Sequence, residues 1–186
     1  LNTSVDSLRP GDLQAVRELD LSDTEVADLG PLQDLRNLER LFLGGTQVSD
    51  ISPLRGLKKL QHLSLWETPV SDFSPLKELT DLEELHLGGT EISELGPVKE
   101  LKNLEVLILG ATNVFKIEQL GSLRNLKTLH LGQTDICDCS PLNKLRDLKW
   151  LNLSGTSITD LRPLTDLLKL DTLLMKKCSI DHMPSY

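Results

Sequence analysis

The amino-acid sequence predicts an α/β solenoid: a right-handed curved superhelix of about eight coils, with a parallel β-sheet on its concave face and short 3₁₀ or α-helical segments on its convex face. Three observations lead to this prediction. The sequence repeats every 22 residues, each copy carries an alternating Leu-x-Leu segment, and each copy then carries leucines three residues apart. A fixed period of this length is typical of solenoids, in which each unit contacts only its neighbours.

The two halves of each copy predict different local structures. Leu41-Phe42-Leu43 alternates, as a short strand with one buried face must. The segment 53–60 instead places leucines three apart, which is the spacing of a one-face helical or 3₁₀ turn. Gly or Ser precedes the proline of this segment in five of six copies, so we expect a small capping residue followed by proline at the first helical position.

A column of threonines marks the bend between the strand and the core, and Cys178 takes the next step of the column. Buried backbone groups at such a bend need partners, and threonine hydroxyls can supply them. We expect each hydroxyl to bond the neighbouring coil, so that the column forms a structural ladder. Its members are Thr24, Thr46, Thr68, Thr90, Thr112, Thr134 and Thr156.

The repeats divide the chain into three regions. Residues 16–177 carry the 22-residue repeats, residues 1–15 are predicted to form a partial N-terminal coil, and residues 178–186 are predicted to end the C-terminal coil. Thr3 lies 21 rather than 22 residues before Thr24, and Pro184 comes one residue early, so both ends depart from the period.

The fifth copy also departs from the pattern, because it lacks the aspartate and the proline of the other copies. This predicts a change in the lateral or convex geometry there. Two interpretations stay open for Phe115 and Lys116 in this copy: a secondary contact with a partner, or tolerated variation in a surface turn.

The repeat resembles the short leucine-rich repeats of internalin-like and SDS22-like proteins. Residues 38–54 show the pattern in one copy: Leu-Glu-Arg-Leu-Phe-Leu-Gly-Gly-Thr-Gln-Val-Ser-Asp-Ile-Ser-Pro-Leu. The similarity covers residues 16–183, nearly the whole chain. It implies the solenoid fold and protein recognition through the concave face, but this scaffold hosts many unrelated binding roles.

The composition restricts the class of partner. The formal net charge is −8 and the pI is near 5.0, so a nucleic-acid backbone or an anionic membrane would be approached against repulsion. We therefore expect the partner to be another protein, basic or of mixed charge, with an apolar anchor. The domain by itself is expected to be monomeric.

The cysteines and the first residue bear on localisation. Three cysteines cannot all be paired, and their spacing with histidine matches no structural zinc motif, which favours a reducing compartment. The cytoplasm, of the producing cell or of a host, fits this reading, whereas a secreted or surface location fits the resemblance equally. The chain begins at Leu1 without an apolar leader, which suggests a fragment or processed product of an effector or receptor.

The residues that flank the alternating leucines are predicted to point to solvent from the concave face. Both tryptophans and three of the four histidines fall in these columns. Aromatic residues and Arg are enriched at binding hot spots, so we expect a partner-binding stripe here, although scattered exposed apolar residues are also normal. The candidate residues are Arg40, Phe42, His62, Trp66, Glu84, His86, Val106, Ile108, His130, Trp150 and Asn152.

Catalysis and metal binding find little support in the sequence. No nucleophile adjoins a base and no paired carboxylates line a predicted cleft, so we expect neither an enzyme nor a cofactor. The Gly-Gly-Thr segments at 44–46 and 88–90 recur with the repeat and are attributed to the turn. Histidines in columns of a flat sheet do not converge on one point, so we expect no metal and favour a surface whose binding weakens on acidification.

Two functions remain open at this stage. The first is a protein-binding module that uses the concave face. The alternative is a structural scaffold, a self-association domain, or an autoinhibitory or sensor arm of a larger multidomain effector or enzyme.

Overall fold

The computed structural model describes residues 14–183 and contains one open sheet of eight parallel strands, each paired with the next in sequence. This confirms the predicted α/β solenoid. The strands are Glu18–Asp20 (β1), Arg40–Phe42 (β2), His62–Ser64 (β3), Glu84–His86 (β4), Val106–Ile108 (β5), Thr128–His130 (β6), Trp150–Asn152 (β7) and Thr172–Leu174 (β8).

The return segments on the convex side are short 3₁₀ helices throughout the described part of the chain. They are Gly30–Leu32, Ser52–Gly56, Ser74–Glu78, Val98–Glu100, Glu118–Ser122, Ser140–Lys144 and Arg162–Leu164. The fifth copy keeps a helix of five residues, as long as those of three proline-containing copies. The fifth copy therefore keeps its 3₁₀ helix without proline, and the predicted change of geometry does not extend to the length of this helix.

The start of each 3₁₀ helix differs from the sequence-based prediction. In the second coil Ser52 is the first helical residue, Ile51 occupies the cap position, and no side chain caps from there. The aspartate one residue earlier does this work: Asp50 Oδ1 accepts the Ser52 backbone N–H at 2.7 Å, and the Ser52 hydroxyl donates to Asp50 Oδ2 at 2.9 Å. The small residue was thus wrongly predicted as the cap, and the aspartate side chain accepts the free N–H group instead.

In-register pairing builds the core as a stack of leucine rows. Leu41, Leu63 and Leu85 are successive partners across the sheet and are at most 2% exposed. Because the alternating residue between two inward leucines must point the other way, this register also sets the outward columns. Burial weakens at the two ends: Leu19 is only half-buried, and Leu173 on β8 is 37% exposed.

The threonine column does not form the predicted ladder between coils, except at its last step, where Thr156 Oγ1 and Cys178 Sγ lie 3.9 Å apart. Thr46 Oγ1 donates to the carbonyl oxygen of Leu43 at 2.7 Å, within its own coil, and all seven threonines make the same bond to the residue three positions earlier. Six of the seven are buried, while Thr24 is exposed. The prediction of an inter-coil ladder is wrong because the short threonine side chain reaches the carbonyl of its own turn.

The turn before each threonine uses left-handed backbone conformation. Gly45 and Gly89 have φ of +68° and +70°, so geometry of the turn explains the Gly-Gly-Thr segments, as the sequence predicted. Other coils adopt the same conformation with residues other than glycine, for example Ala111 at φ +56°. The stack imposes this conformation at a cost of about 1 kcal/mol per residue.

The stack continues to the C-terminal limit of the described residues. The Leu161 N–H donates to the His182 carbonyl at 3.0 Å, and Asp160 and His182 form a parallel bridge. The predicted partial coil at residues 1–15 falls almost wholly outside the described part of the chain, as does Pro184. No helix within residues 14–183 has the length and apolarity needed to cross a membrane.

Candidate partner-binding face

We use "concave face" for the outward side chains of β1–β8 together with the residue two positions after each strand. All eleven residues predicted for partner binding lie on it. Except for Arg40, which is exposed, their side chains are half-buried rather than free in solvent or sealed in the core. The assignment of inward and outward positions is therefore the one that the alternating leucines predicted.

Trp66 does not stand upright on this face but lies across the neighbouring coil. A methyl group at Gly44 would lie 1.8 Å from Trp66 Nε1 and 2.1 Å from Trp66 Cδ1, so only glycine leaves room for the indole. Neither Trp66 nor Trp150 is covered by a further segment among the described residues, because both remain half-exposed. The glycine at position 44 thus provides the space in which the Trp66 ring lies.

His130 and Trp150 repeat this arrangement at the other end of the stripe. Their ring centroids lie 5.9 Å apart at an interplanar angle of 26°. The imidazole lies over Gly110, where a methyl group would be 2.3 Å from His130 Nδ1. Two stacked rings of this kind are held in place before any partner arrives, which reduces the entropy lost on binding.

Asn152 determines which nitrogen of His130 carries the proton. Asn152 Oδ1 accepts the Ser154 backbone N–H at 2.9 Å, so its amide nitrogen must donate to His130 Nε2, 2.8 Å away. Nε2 is then an acceptor, and the neutral imidazole carries its proton on Nδ1, which is buried without a hydrogen-bond partner among the described residues. Burial lowers the pKa of His130 and so favours this neutral form.

His62, Glu84 and His86 form a charged group between the two ring clusters. His62 Nδ1 lies 3.0 Å from Glu84 Oε2, directly across β3 and β4, but off the direction required for an N–H hydrogen bond. Burial lowers the pKa of His86, against the opposing effect of the Glu84 carboxylate.

Arg40, Phe42 and the aliphatic pair of β5 complete the stripe. The Arg40 guanidinium lies over the Phe42 ring at 5.5 Å and its Nε lies 3.2 Å from Glu18 Oε2. Val106 and Ile108 are the cross-strand partners of Glu84 and His86, so they connect the two aromatic clusters through the register of the sheet. The eleven residues are thus contiguous, and their role in binding remains a prediction.

The structure also contains a groove beside the C-terminal end of the stripe, which the sequence did not predict. It has a volume of about 360 Å³, and its walls include His130, Asn152, Ser154, Lys176 and Lys177. Lys176 falls in the same column as Trp66, but nothing in the local sequence shows that it closes a groove.

Among the described residues, the structure does not bring side chains together for metal binding or thiol chemistry. Within residues 14–183, no three side chains of His, Cys, Asp or Glu are placed to hold a metal ion. Cys139 is buried, its Sγ lies 3.2 Å from the Asp160 carbonyl, and burial raises its pKa to about 11. Cys137 is exposed and Cys178 half-buried, the latter less buried than its place in the threonine column predicted.

Comparison with known proteins places this geometry in a family. A family model of leucine-rich repeats in two copies matches residues 14–56 and 36–78. Comparison with the curated proteins yields no match.

Among solved structures, internalin C2 of Listeria monocytogenes is 29% identical, with a TM-score of 0.74 over 89% of this chain and 83% of the internalin chain. A leucine-rich-repeat protein of Leptospira interrogans is 27% identical, with a TM-score of 0.82 over 87% of this chain and 43% of its own. A plant peptide-hormone receptor in complex with its hormone is 22% identical, with a TM-score of 0.76 over 91% of this chain and 30% of its own, and shows the fold alone.

The repeat, the register of the sheet and these similarities together define a leucine-rich-repeat protein. With its unbroken 22-residue repeat, the chain is similar to internalin C2 among the solved leucine-rich-repeat structures.

Proposed function

We propose that this chain is a protein-binding module that captures another protein on its concave face. One observation carries the proposal: two tryptophans, the most common hot-spot residue, lie half-exposed on one face and are held there by neighbouring residues. Packing of the core does not need them, since the inward leucines fill it.

The rings are suited to binding because their positions are already fixed. Trp66 rests on Gly44 and Trp150 is stacked on His130, so a partner that covers them loses little side-chain freedom from this side. The plant receptor of the same fold holds a peptide hormone, which supports a binding role for such a scaffold. The partner expected here is a protein with an apolar anchor and basic or mixed charge.

The test is an affinity capture with the immobilised domain. The double variant Trp66→Ala/Trp150→Ala should lose the proteins that the wild type retains, while its thermal unfolding by circular dichroism stays close to that of the wild type. Leu168→Ala is the matched control, because Leu168 is 92% exposed at the C-terminal end, away from the concave face. It should retain the same proteins as the wild type.

If the double variant captured the same proteins as the wild type, the concave stripe would not be the docking surface. The scaffold, self-association and autoinhibitory roles would then be favoured instead.

A further inference from the structure

Charge is distributed unevenly along the concave face. The comparison includes the residue with left-handed backbone conformation at the turn after each strand. Over β1–β4 these positions hold five carboxylates and one guanidinium. Over β5–β8 they hold no carboxylate and two ammonium groups, those of Lys176 and Lys177. The charged residues at the β1–β4 positions are Glu18, Asp20, Asp23, Arg40, Glu67 and Glu84.

The basic end of the face coincides with the groove between β6 and β8. Neither Lys176 nor Lys177 is paired with a carboxylate among residues 14–183. Ser154 Oγ accepts the Lys176 backbone N–H at 3.1 Å, which leaves the serine hydroxyl proton free to donate. The groove lining contains ammonium, hydroxyl and amide donors and no acidic side chain.

The acidic end, by contrast, attracts cations. Glu18 is partly neutralised by Arg40 and Glu84 lies beside His62, but Asp20, Asp23 and Glu67 form no ion pair with another described residue. The two ends are separated by seven strand spacings, about 34 Å. An extended chain covers that distance in about ten residues, with its centre over the aromatic stripe.

We infer that the concave face takes a protein segment of opposite polarity: basic where it crosses β1–β4, apolar over the aromatic stripe, and carrying Asp or Glu side chains that enter the groove at Lys176 and Lys177. This inference rests on the proposed function and adds the charge order and the direction of the partner segment. Complementary charges at both ends select one alignment, because the reversed alignment brings like charges together at each end.

The probe is a synthetic peptide of about a dozen residues with lysines at one end, leucines in the middle and glutamates at the other end. A second peptide of identical composition has its charged residues alternating along the chain. Fluorescence anisotropy should show that the polarised peptide binds about tenfold or more tightly than the alternating one, with the difference shrinking at high salt.

Protein variants test the groove directly. Lys176→Glu/Lys177→Glu should weaken the polarised peptide about tenfold or more, because two attractive contacts become repulsive. Lys77→Glu/Lys144→Glu introduces the same change of net charge through two exposed lysines of the 3₁₀ helices, off the concave face, and should leave its affinity within about twofold.

The direction of the bound peptide is read by nuclear magnetic resonance. A nitroxide on the glutamate end should broaden the amide signals of Lys176 and Lys177, and a nitroxide on the lysine end should broaden those of Asp20 and Ser22. Equal affinity of the two peptides, no binding of the polarised peptide, or a glutamate-end nitroxide that broadens the β1 signals would overturn the inference.

The double tryptophan variant separates this inference from the proposed function. If both peptides bind equally and both lose affinity in Trp66→Ala/Trp150→Ala, the polarity is wrong and the aromatic docking surface stands. If the polarised peptide binds in the stated direction and the double variant does not weaken it, the polarity stands and the role of the tryptophans is wrong.

Discussion

At the scale of single residues, glycines of the concave face determine where aromatic rings lie. Gly44 and Gly110 each occupy the position under a ring, Trp66 in one case and His130 in the other. A side chain at either position would push the ring outward into solvent. The glycines therefore act on the binding face through the rings that lie over them, since they carry no side chain of their own.

The first prediction concerns Gly44→Ala. The added methyl would lie 1.8 Å from Trp66 Nε1, so the indole must move away and become more exposed. We expect a red shift of tryptophan fluorescence and weaker capture of the partner. Gly96→Ala is the control, since a methyl there meets nothing within 4 Å and should change neither property. An unchanged tryptophan fluorescence spectrum in Gly44→Ala would show that the position of the Trp66 ring does not depend on glycine at position 44.

The second prediction concerns the protonation of His130. In the wild type, the Asn152 amide donates to Nε2 and burial lowers the pKa, so both effects favour the neutral ring. Asn152→Asp replaces that donor by a carboxylate, which favours the charged ring, and the pKa of His130 should rise above the wild-type value.

The pKa is measured from the His130 ring-proton shifts in a magnetic resonance titration. For comparison, burial lowers the pKa of His86, which lies on β4, three strands away from Asn152 on β7, so the pKa of His86 should change much less than that of His130. A His130 pKa that falls in Asn152→Asp would contradict the assigned tautomer. Because burial disfavours the charged ring, acidification should also weaken capture of a partner that covers this part of the face.

At the scale of elements, aspartates organise the turn into five of the seven described 3₁₀ helices. Asp72 accepts the Ser74 backbone N–H at 2.8 Å and the Ser74 hydroxyl at 3.1 Å, and the same backbone bond recurs at Asp28, Asp50, Asp138 and Asp160. Hydrogen bonds from Ser74 lower the pKa of Asp72, first through the backbone N–H and then through the hydroxyl. At Asp160 the Arg162 side chain contributes most and lowers the pKa to about 2.

The third prediction follows from these bonds. Asp72→Ala should lower the thermal midpoint, because the Ser74 N–H loses its acceptor, whereas Asp72→Asn should retain most of the stability, since its side-chain oxygen can still accept. The pKa values of these carboxylates are lower in the folded protein than in the unfolded chain. Their contribution to the free energy of unfolding is therefore fully present above the unfolded pKa near 3.8, and it is lost as the pH falls through the folded pKa, which is about 2 for Asp160.

Denaturant titrations at a series of pH values measure both effects. The free energy of unfolding should fall steadily below pH 4 in the wild type and less steeply in a variant with asparagine at positions 50, 72 and 160. Identical slopes in the two proteins would argue against a role of the carboxylates in acid sensitivity.

At the scale of the whole molecule, stability depends on position in the stack. A central coil buries its leucines against two neighbours, whereas an end coil has only one described neighbour. Leu129 on β6 is fully buried, and Leu173 on β8 is 37% exposed. The same substitution should therefore have unequal effects at the two positions.

The fourth prediction compares these two leucines. Leu129→Ala should destabilise the protein by about 3 kcal/mol, because it removes buried surface and leaves a cavity between two coils. Leu173→Ala should cost about 1 kcal/mol, since less surface is lost and solvent already reaches the site. Urea unfolding measures both values, and equal losses would show that the C-terminal coil is buried against something beyond the described residues.

The sequence by itself determined the solenoid, the strand positions and the outward columns, because a 22-residue period and alternating leucines leave a single register in which every apolar row is buried. It did not determine what each side chain touches. The tertiary structure decided that the threonines bond within their own coil, that Trp66 and His130 lie over glycines, and that Lys176 and Lys177 border a groove. These contacts depend on side-chain rotamers and on atoms of residues about 22 positions away in the chain. A repeat pattern cannot predict them, because it specifies which residues are neighbours but not the direction in which each side chain turns.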